Sequence, residues 1–154
     1  MSRPLSLALY GLATGLLEPF APAILRRRAR RGKEAPARLA ERLGRASLAR
    51  PPGSLVWLHG VSVGETTSLL PLVFALRARR PDLALLVTSG TVTAAELLAR
   101  RLPPGVIHQF APVDGPRAVG RFLDHWRPAL GVFVESELWP NLILGARRGG
   151  VRLA

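Results

Sequence analysis

Two short stretches hold the residue types that proton-transfer chemistry uses. They are His59-Gly60-Val61-Ser62-Val63-Gly64-Glu65 and Glu135-Ser136-Glu137-Leu138-Trp139-Pro140-Asn141. Glu65 has two readings. Ser62 and Glu65 match the spacing of a capping box, in which the Glu side chain bonds the backbone at the start of its own helix. A carboxylate near a helix amino terminus also stays ionised, which a general base requires. Glycines at 60 and 64 leave room for a bulky substrate to approach the backbone. Glu135 closes a buried strand, where an unpaired carboxylate is costly, so it is paired, capping or functional. Ser136 and Glu137 also suit the start of the following helix.

Other polar residues carry weaker signals. His59 ends a strand and fits a satisfied core or loop histidine, while His108 and His125 have no partner at a useful spacing. No two histidines stand at metal-ligand separation and the chain has no cysteine, so neither a metal site nor a disulfide is expected. Gly-x-Gly-x-x-Gly is missing, which speaks against a dinucleotide site. Ser62 and its loop amides suit a phosphate, but the stretch lacks the lysine of a Walker sequence. Thr88-Ser89-Gly90-Thr91-Val92-Thr93 is a hydroxyl-rich turn that either caps a helix or hydrogen-bonds a sugar or phosphate.

The elements that must position these residues alternate regularly. Apolar runs at Leu55–His59, Leu83–Thr88, Val106–Phe110 and Leu130–Glu135 read as buried strands. Helical segments are expected over Leu69–Arg80, Thr93–Arg101 with Thr91 or Thr93 as cap, and Pro116 to about Trp126 with Asp114 or Gly115 as cap. A last helix opens at Trp139 or Pro140 and runs to about Arg148, stopped by Gly149-Gly150. Near-continuous apolar strands joined by helices call for an α/β fold, a Rossmann-like parallel sheet with helices on both faces. Val151 to Ala154 reads as a further strand cut short, as in a truncated chain. In such a sheet, ligands gather at the carboxyl ends of the strands, where both acidic stretches fall.

The 154 residues are enough for one buried core, and 48% hydrophobic against 21% charged residues excludes a disordered chain. The formal charge of +12 calls for an anionic partner. Roughly two thirds of that excess lies in the first 50 residues, much of it in Arg26, Arg27, Arg28, Arg30, Arg31 and Lys33. Residues 1–50 therefore form an apolar and basic segment, and 51–154 the Rossmann-like domain, with Pro51-Pro52-Gly53 between them. Leu5 to Leu25 is apolar but interrupted by Glu18, Pro19 and Pro22. It fits a segment lying in a membrane interface with arginines on the headgroups, rather than a secretory signal or a clean span. The alternative is a helix that covers another part of the protein. Nucleic acid is not expected, since aromatic residues are 6% and do not interleave with the basic run.

Taken in order, these stretches resemble the Kdo (3-deoxy-D-manno-octulosonic acid) transferase family. The residues that carry the resemblance are Trp57 to Glu65, Thr88 to Thr93, Pro112-Val113-Asp114 and Glu135 to Asn141, preceded by Lys33-Glu34 and Glu41-Arg42-Leu43-Gly44. The resemblance implies the amino-terminal, acceptor-binding half of a GT-B glycosyltransferase, inverting and needing no metal or cofactor. The reaction it implies moves Kdo from CMP-Kdo to the lipid A precursor lipid IVA, in lipopolysaccharide synthesis at the cytoplasmic face of the bacterial inner membrane. By position in the motifs, Glu65 corresponds to the general base and Glu135 to a transition-state-stabilising carboxylate. Many relatives have Gly where this chain has Ala94, and the donor-binding domain lies beyond residue 154, so this chain alone is expected to be inactive. Two other readings compete: a non-catalytic basic module on anionic membrane, and an inactive truncated gene product.

Overall fold

All five residues of Leu55–His59 are buried, which is what a strand covered on both faces requires. The computed structural model describes residues 4–134 and 139–154. Within them, five parallel strands form one sheet: β1 (Leu55–His59), β2 (Ala84–Ser89), β3 (Ile107–Phe110), β4 (Leu130–Phe133) and β5 (Arg152–Leu153). Their order is β3-β2-β1-β4-β5. The helices are α1 (Leu5–Leu17), α2 (Ala21–Ala29), α3 (Leu39–Arg42), α4 (Val63–Arg79), α5 (Val92–Arg101), α6 (Pro116–Trp126) and α7 (Pro140–Arg148), with 3-10 turns at Glu18–Phe20 and Pro36–Arg38. This is the expected α/β class, and its strand order agrees with the amino-terminal half of a GT-B glycosyltransferase.

Alternation along β1 divides the core into two. Leu55 and Trp57 point to the face closed by α6 and α7, where they meet Phe122, Trp126, Leu142 and Ala146. Val56 and Leu58 point to the face closed by α4 and α5, against Leu69, Leu70, Val73 and Leu98. Trp57 packs with ring centroids 5.0 Å from Phe122 and 4.8 Å from Phe133. Burial of side chains this large stabilises the fold by about 1.5–3 kcal/mol each, enough to fix which face of β1 meets which helix pair.

Three helix starts show how the sequence places its ends. α4 begins at Val63, well before Leu69, because Ser62 and Glu65 do form a capping box. α6 begins at Pro116 with Gly115 as its cap, and glycine has no side chain to offer the amides that follow. Glu18 supplies the acceptors instead: the Arg117 amide donates to its Oε2 at 2.9 Å and the Ala118 amide to its Oε1 at 2.6 Å. Asp114 serves the other helix, accepting from the Asn141 amide at 3.1 Å and the Leu142 amide at 2.8 Å at the start of α7.

The apolar amino-terminal segment is helical across its prolines. Pro19 and Pro22 each stand in the first turn of a new helical stretch, where a missing N–H costs nothing. One side of this segment faces the domain. Tyr10 donates to Asp114 Oδ2 at 2.9 Å, Thr14 accepts from Asn141 Nδ2 at 2.8 Å, Glu18 caps α6, and Leu25 is buried. The other side bears Leu5, Leu9, Leu12, Leu16, Phe20 and Ile24, all more than half exposed, at steps of three or four residues. Leu5–Ala29 is long and apolar enough to cross a membrane by length and composition, with mean hydropathy 1.3 in its most apolar 18-residue window.

The basic stretch after it is packed onto the sheet domain. Arg42 donates to the Ala111 carbonyl, Arg121 to the Leu43 carbonyl, and Arg50 to the Trp126 carbonyl. Gly44, at φ +79°, lies so close to α6 that a Cβ would stand 1.9 Å from the Ala118 oxygen.

Candidate active site

Strand order decides which loops share an edge. The chain runs from β1 outward through β2 to β3, then returns to place β4 on the other side of β1. The switch point therefore lies between β1 and β4, and in open parallel sheets the crevice beyond the carboxyl ends at this point is where ligands bind. His59 at the end of β1 pairs with Phe133 at the end of β4, and the Val134 amide donates to the His59 carbonyl at 2.9 Å. The glycine-rich loop to Glu65 leaves from one of these strands. The stretch that opens with Glu135 follows the other, and Glu135 itself lies outside the described residues.

Glu65 is the third residue of α4. Its Oε2 accepts from the Val61 amide at 2.7 Å and the Ser62 amide at 2.9 Å, while its own amide donates to Ser62 Oγ at 3.3 Å. The side chain runs against Gly60, where a Cβ would stand 3.1 Å from Glu65 Cβ. Glu65 as a residue is half-buried.

Behind this loop several polar residues of the strand ends bond one another. Trp57 Nε1 donates to Thr88 Oγ1 at 2.8 Å, and His59 Nδ1 lies 2.8 Å from the same oxygen. His59 is a buried histidine, as its position predicts. Of the hydroxyl-rich turn, Thr88 and Ser89 point inward and Thr91 caps α5, accepting from the Ala94 amide at 3.2 Å. Ser89 Oγ lies 2.8 Å from His108 Nε2, and both terminal nitrogens of Arg38 lie 3.2 Å from His108 Nδ1. Burial pushes the His108 pKa down to about 4, with Arg38 adding to the shift and Glu41 opposing it. The ring is neutral near pH 7, so Nδ1 accepts from Arg38 and Nε2–H donates to Ser89.

A cleft of about 300 Å³ opens at the carboxyl ends of β1, β2 and β3. Val61, Gly90, Thr91 and Asp114 line it from the loops after these strands, and Arg28 and Arg42 reach it from the amino-terminal segment. Glu65 is bonded to the Val61 amide and is not itself in the lining. Sequence reasoning missed Arg28, Glu34 and Arg42 as lining residues of clefts, and missed the double service of Asp114. Glu34 pairs locally with Arg28 and Arg42, but the bonds of Glu41 to the Phe110 amide and of Arg42 to the Ala111 carbonyl span about 69 residues and leave no local signal.

A family model described as 3-deoxy-D-manno-octulosonic-acid transferase (kdotransferase) matches residues 37–154. The chain is 45% identical over 138 residues to a probable mitochondrial 3-deoxy-D-manno-octulosonic acid transferase of Arabidopsis thaliana, covering 90% of this chain and 31% of that protein. It is 46% identical over 104 residues to the 3-deoxy-D-manno-octulosonic acid transferase of Rickettsia felis, covering 67% of this chain and 22% of the relative. Against the protein of the same description in Bordetella pertussis it is 40% identical over 152 residues, 94% of this chain and 35% of the relative. The chain thus spans about a third or less of the length of these curated relatives.

Proposed function

The chain belongs to the 3-deoxy-D-manno-octulosonic acid transferase family, and from that premise we propose that it forms the acceptor-binding part of an inverting, metal-independent glycosyltransferase. The donor is CMP-Kdo and the acceptor a lipid A precursor, lipid IVA in the simplest case. The observation that carries this reading is the switch point between β1 and β4, which gathers the Glu65 loop and the strand leading to Glu135 at one rim of the sheet.

The chemistry assigned to this rim needs little from the protein beyond position and charge. An acceptor hydroxyl gives its proton to the Glu65 carboxylate as its oxygen attacks the anomeric carbon of Kdo. The bond to CMP breaks on the opposite side, and CMP leaves with the electron pair. The Val61 and Ser62 amides, together with the amino terminus of α4, suit an ionised carboxylate and fix its direction. Glu135 is assigned to stabilise the positive charge that develops on the sugar as CMP departs, by its position in the motif. Residues that contact the nucleotide belong to a donor-binding domain beyond residue 154.

The exposed stripe from Leu5 to Ile24 and the exposed Arg26, Arg27, Arg30 and Arg31 support a place on an anionic membrane, the cytoplasmic face of the bacterial inner membrane in this reading. Replacing Leu12 and Leu16 together by serine should weaken sedimentation with anionic vesicles about tenfold or more, because each buried leucine contributes about 1.5–3 kcal/mol at most. Unchanged sedimentation would remove the stripe from the membrane contact.

The function itself is tested by supplying CMP-Kdo and lipid IVA to the full-length protein and to this 154-residue chain. Only the full-length protein is expected to form product, and the product should have inverted anomeric configuration. Transfer by the chain alone would contradict the division of labour between two domains.

A further inference from the structure

The structure assigns Gly90 as a positioning residue for the Glu65 carboxylate, acting through Val61. This inference rests on the base assignment above and adds to it what sets the direction of the base.

The Val61 amide donates to Glu65 Oε2 at 2.7 Å and the Ser62 amide at 2.9 Å. The direction of the carboxylate therefore depends on where residues 61 and 62 are held. Residue 61 is held from the end of β2. The Gly90 amide donates to the Val61 carbonyl at 3.0 Å, and one step back the Gly60 amide donates to the Thr88 carbonyl at 3.2 Å. These bonds tie the loop after β1 to the loop after β2, beyond the last strand pair of His59 with Thr88. Val61 and Gly90 both line the cleft at the strand ends, so the contact lies beside the site.

The contact leaves no room for a side chain. A Cβ at position 90 would stand 2.6 Å from Val61 Cγ1, with Val61 Cβ and Cα at 3.4 and 3.5 Å. Carbon atoms out of bonding range meet at about 3.5–4.0 Å, so an alanine methyl would push that part of Val61 away by about 1 Å. Val61 is β-branched and stiff at χ1, which directs the push into its backbone. That backbone carries the amide that holds Oε2, and the carboxylate moves with it. Gly90 is not among the glycines with positive φ. Alanine there brings no backbone strain, and the substitution reads the contact alone.

Steady-state transfer by the full-length protein, with CMP-Kdo and lipid IVA, tests this in variants whose thermal melts show them folded. Gly90→Ala should lower kcat about tenfold to 100-fold, as a misplacement of about 1 Å does, and leave the KM for acceptor within about twofold. In a Val61→Ala background, where the nearest methyl is gone, the same substitution should cost less than about threefold. In a Glu65→Gln background it should also cost less than about threefold, because the base it positions is already absent. A glycine needed only for packing would cost the same factor in the Glu65→Gln background as in the wild type.

A wild-type kcat for folded Gly90→Ala overturns the proposal, as does a loss confined to KM or one of equal size in the Glu65→Gln background. If Gly90→Ala does not fold, adding Val61→Ala must restore folding and transfer together, and failure to do so overturns it as well. Impaired Glu65→Gln with normal Gly90→Ala counts against Gly90 alone, whereas normal transfer by Glu65→Gln counts against the base and everything said to position it.

Discussion

Glu18→Ala should destabilise the fold by about 2–4 kcal/mol and loosen the amino-terminal helices from the domain, although Glu18 sits in an otherwise apolar segment. The buried carboxylate is bonded to the Arg117 and Ala118 amides, and Arg121 lies 3.8 Å away. Removing it leaves two orphan donors at the start of α6, whose cap, Gly115, has no side chain with which to replace it. Gly115 is required for the same contact, because a Cβ there would stand 2.6 Å from Glu18 Cδ. Glu18→Gln keeps one good acceptor and should lose about half as much. Urea unfolding gives the magnitude, and amide exchange should be fastest to respond in the first turn of α6. A wild-type unfolding curve for Glu18→Ala would show that the helices dock without this bond.

Much of the fold follows from local signals. The apolar runs of β1 to β4, Pro116 at the first turn of α6 and Gly149-Gly150 at the end of α7 each act over a few residues, and each is found where the sequence puts it. The capping box of Ser62 and Glu65 is legible for the same reason. What local spacing does not carry is a cap supplied from afar. Glu18 lies about 100 residues from the amide it serves, and Asp114 caps α7 across 28 residues rather than α6 beside it. Strand order is equally invisible in local pattern, and only the pairing of β1 with β4 sets side by side the two strands that lead into the acidic motifs. The prolines mislead in the opposite direction. Pro19 and Pro22 read as interruptions, yet each starts a helical turn, and the segment continues to Ala29.

Glu65→Gln should lower transfer by the full-length enzyme about 10²–10⁴-fold, the range that positioned general bases contribute. The capping box makes this substitution a clean separation of roles. Glutamine keeps an oxygen that can accept from the Val61 and Ser62 amides, and it serves at this helix position nearly as well as glutamate. Stability should therefore change by less than about 1 kcal/mol. Glu65→Ala, by contrast, should lose both the cap and the reaction. If the carboxylate only held the start of α4, Glu65→Gln would be nearly silent and Glu65→Ala would fail through instability alone.

The most direct measurement is a single-turnover rate for Glu65→Gln in the full-length transferase, with CMP-Kdo and acceptor saturating, alongside its unfolding midpoint. A loss of at least about 100-fold at an almost unchanged midpoint is the predicted result. A rate close to that of the wild type from the folded variant would contradict the assignment and leave Glu65 as a helix cap.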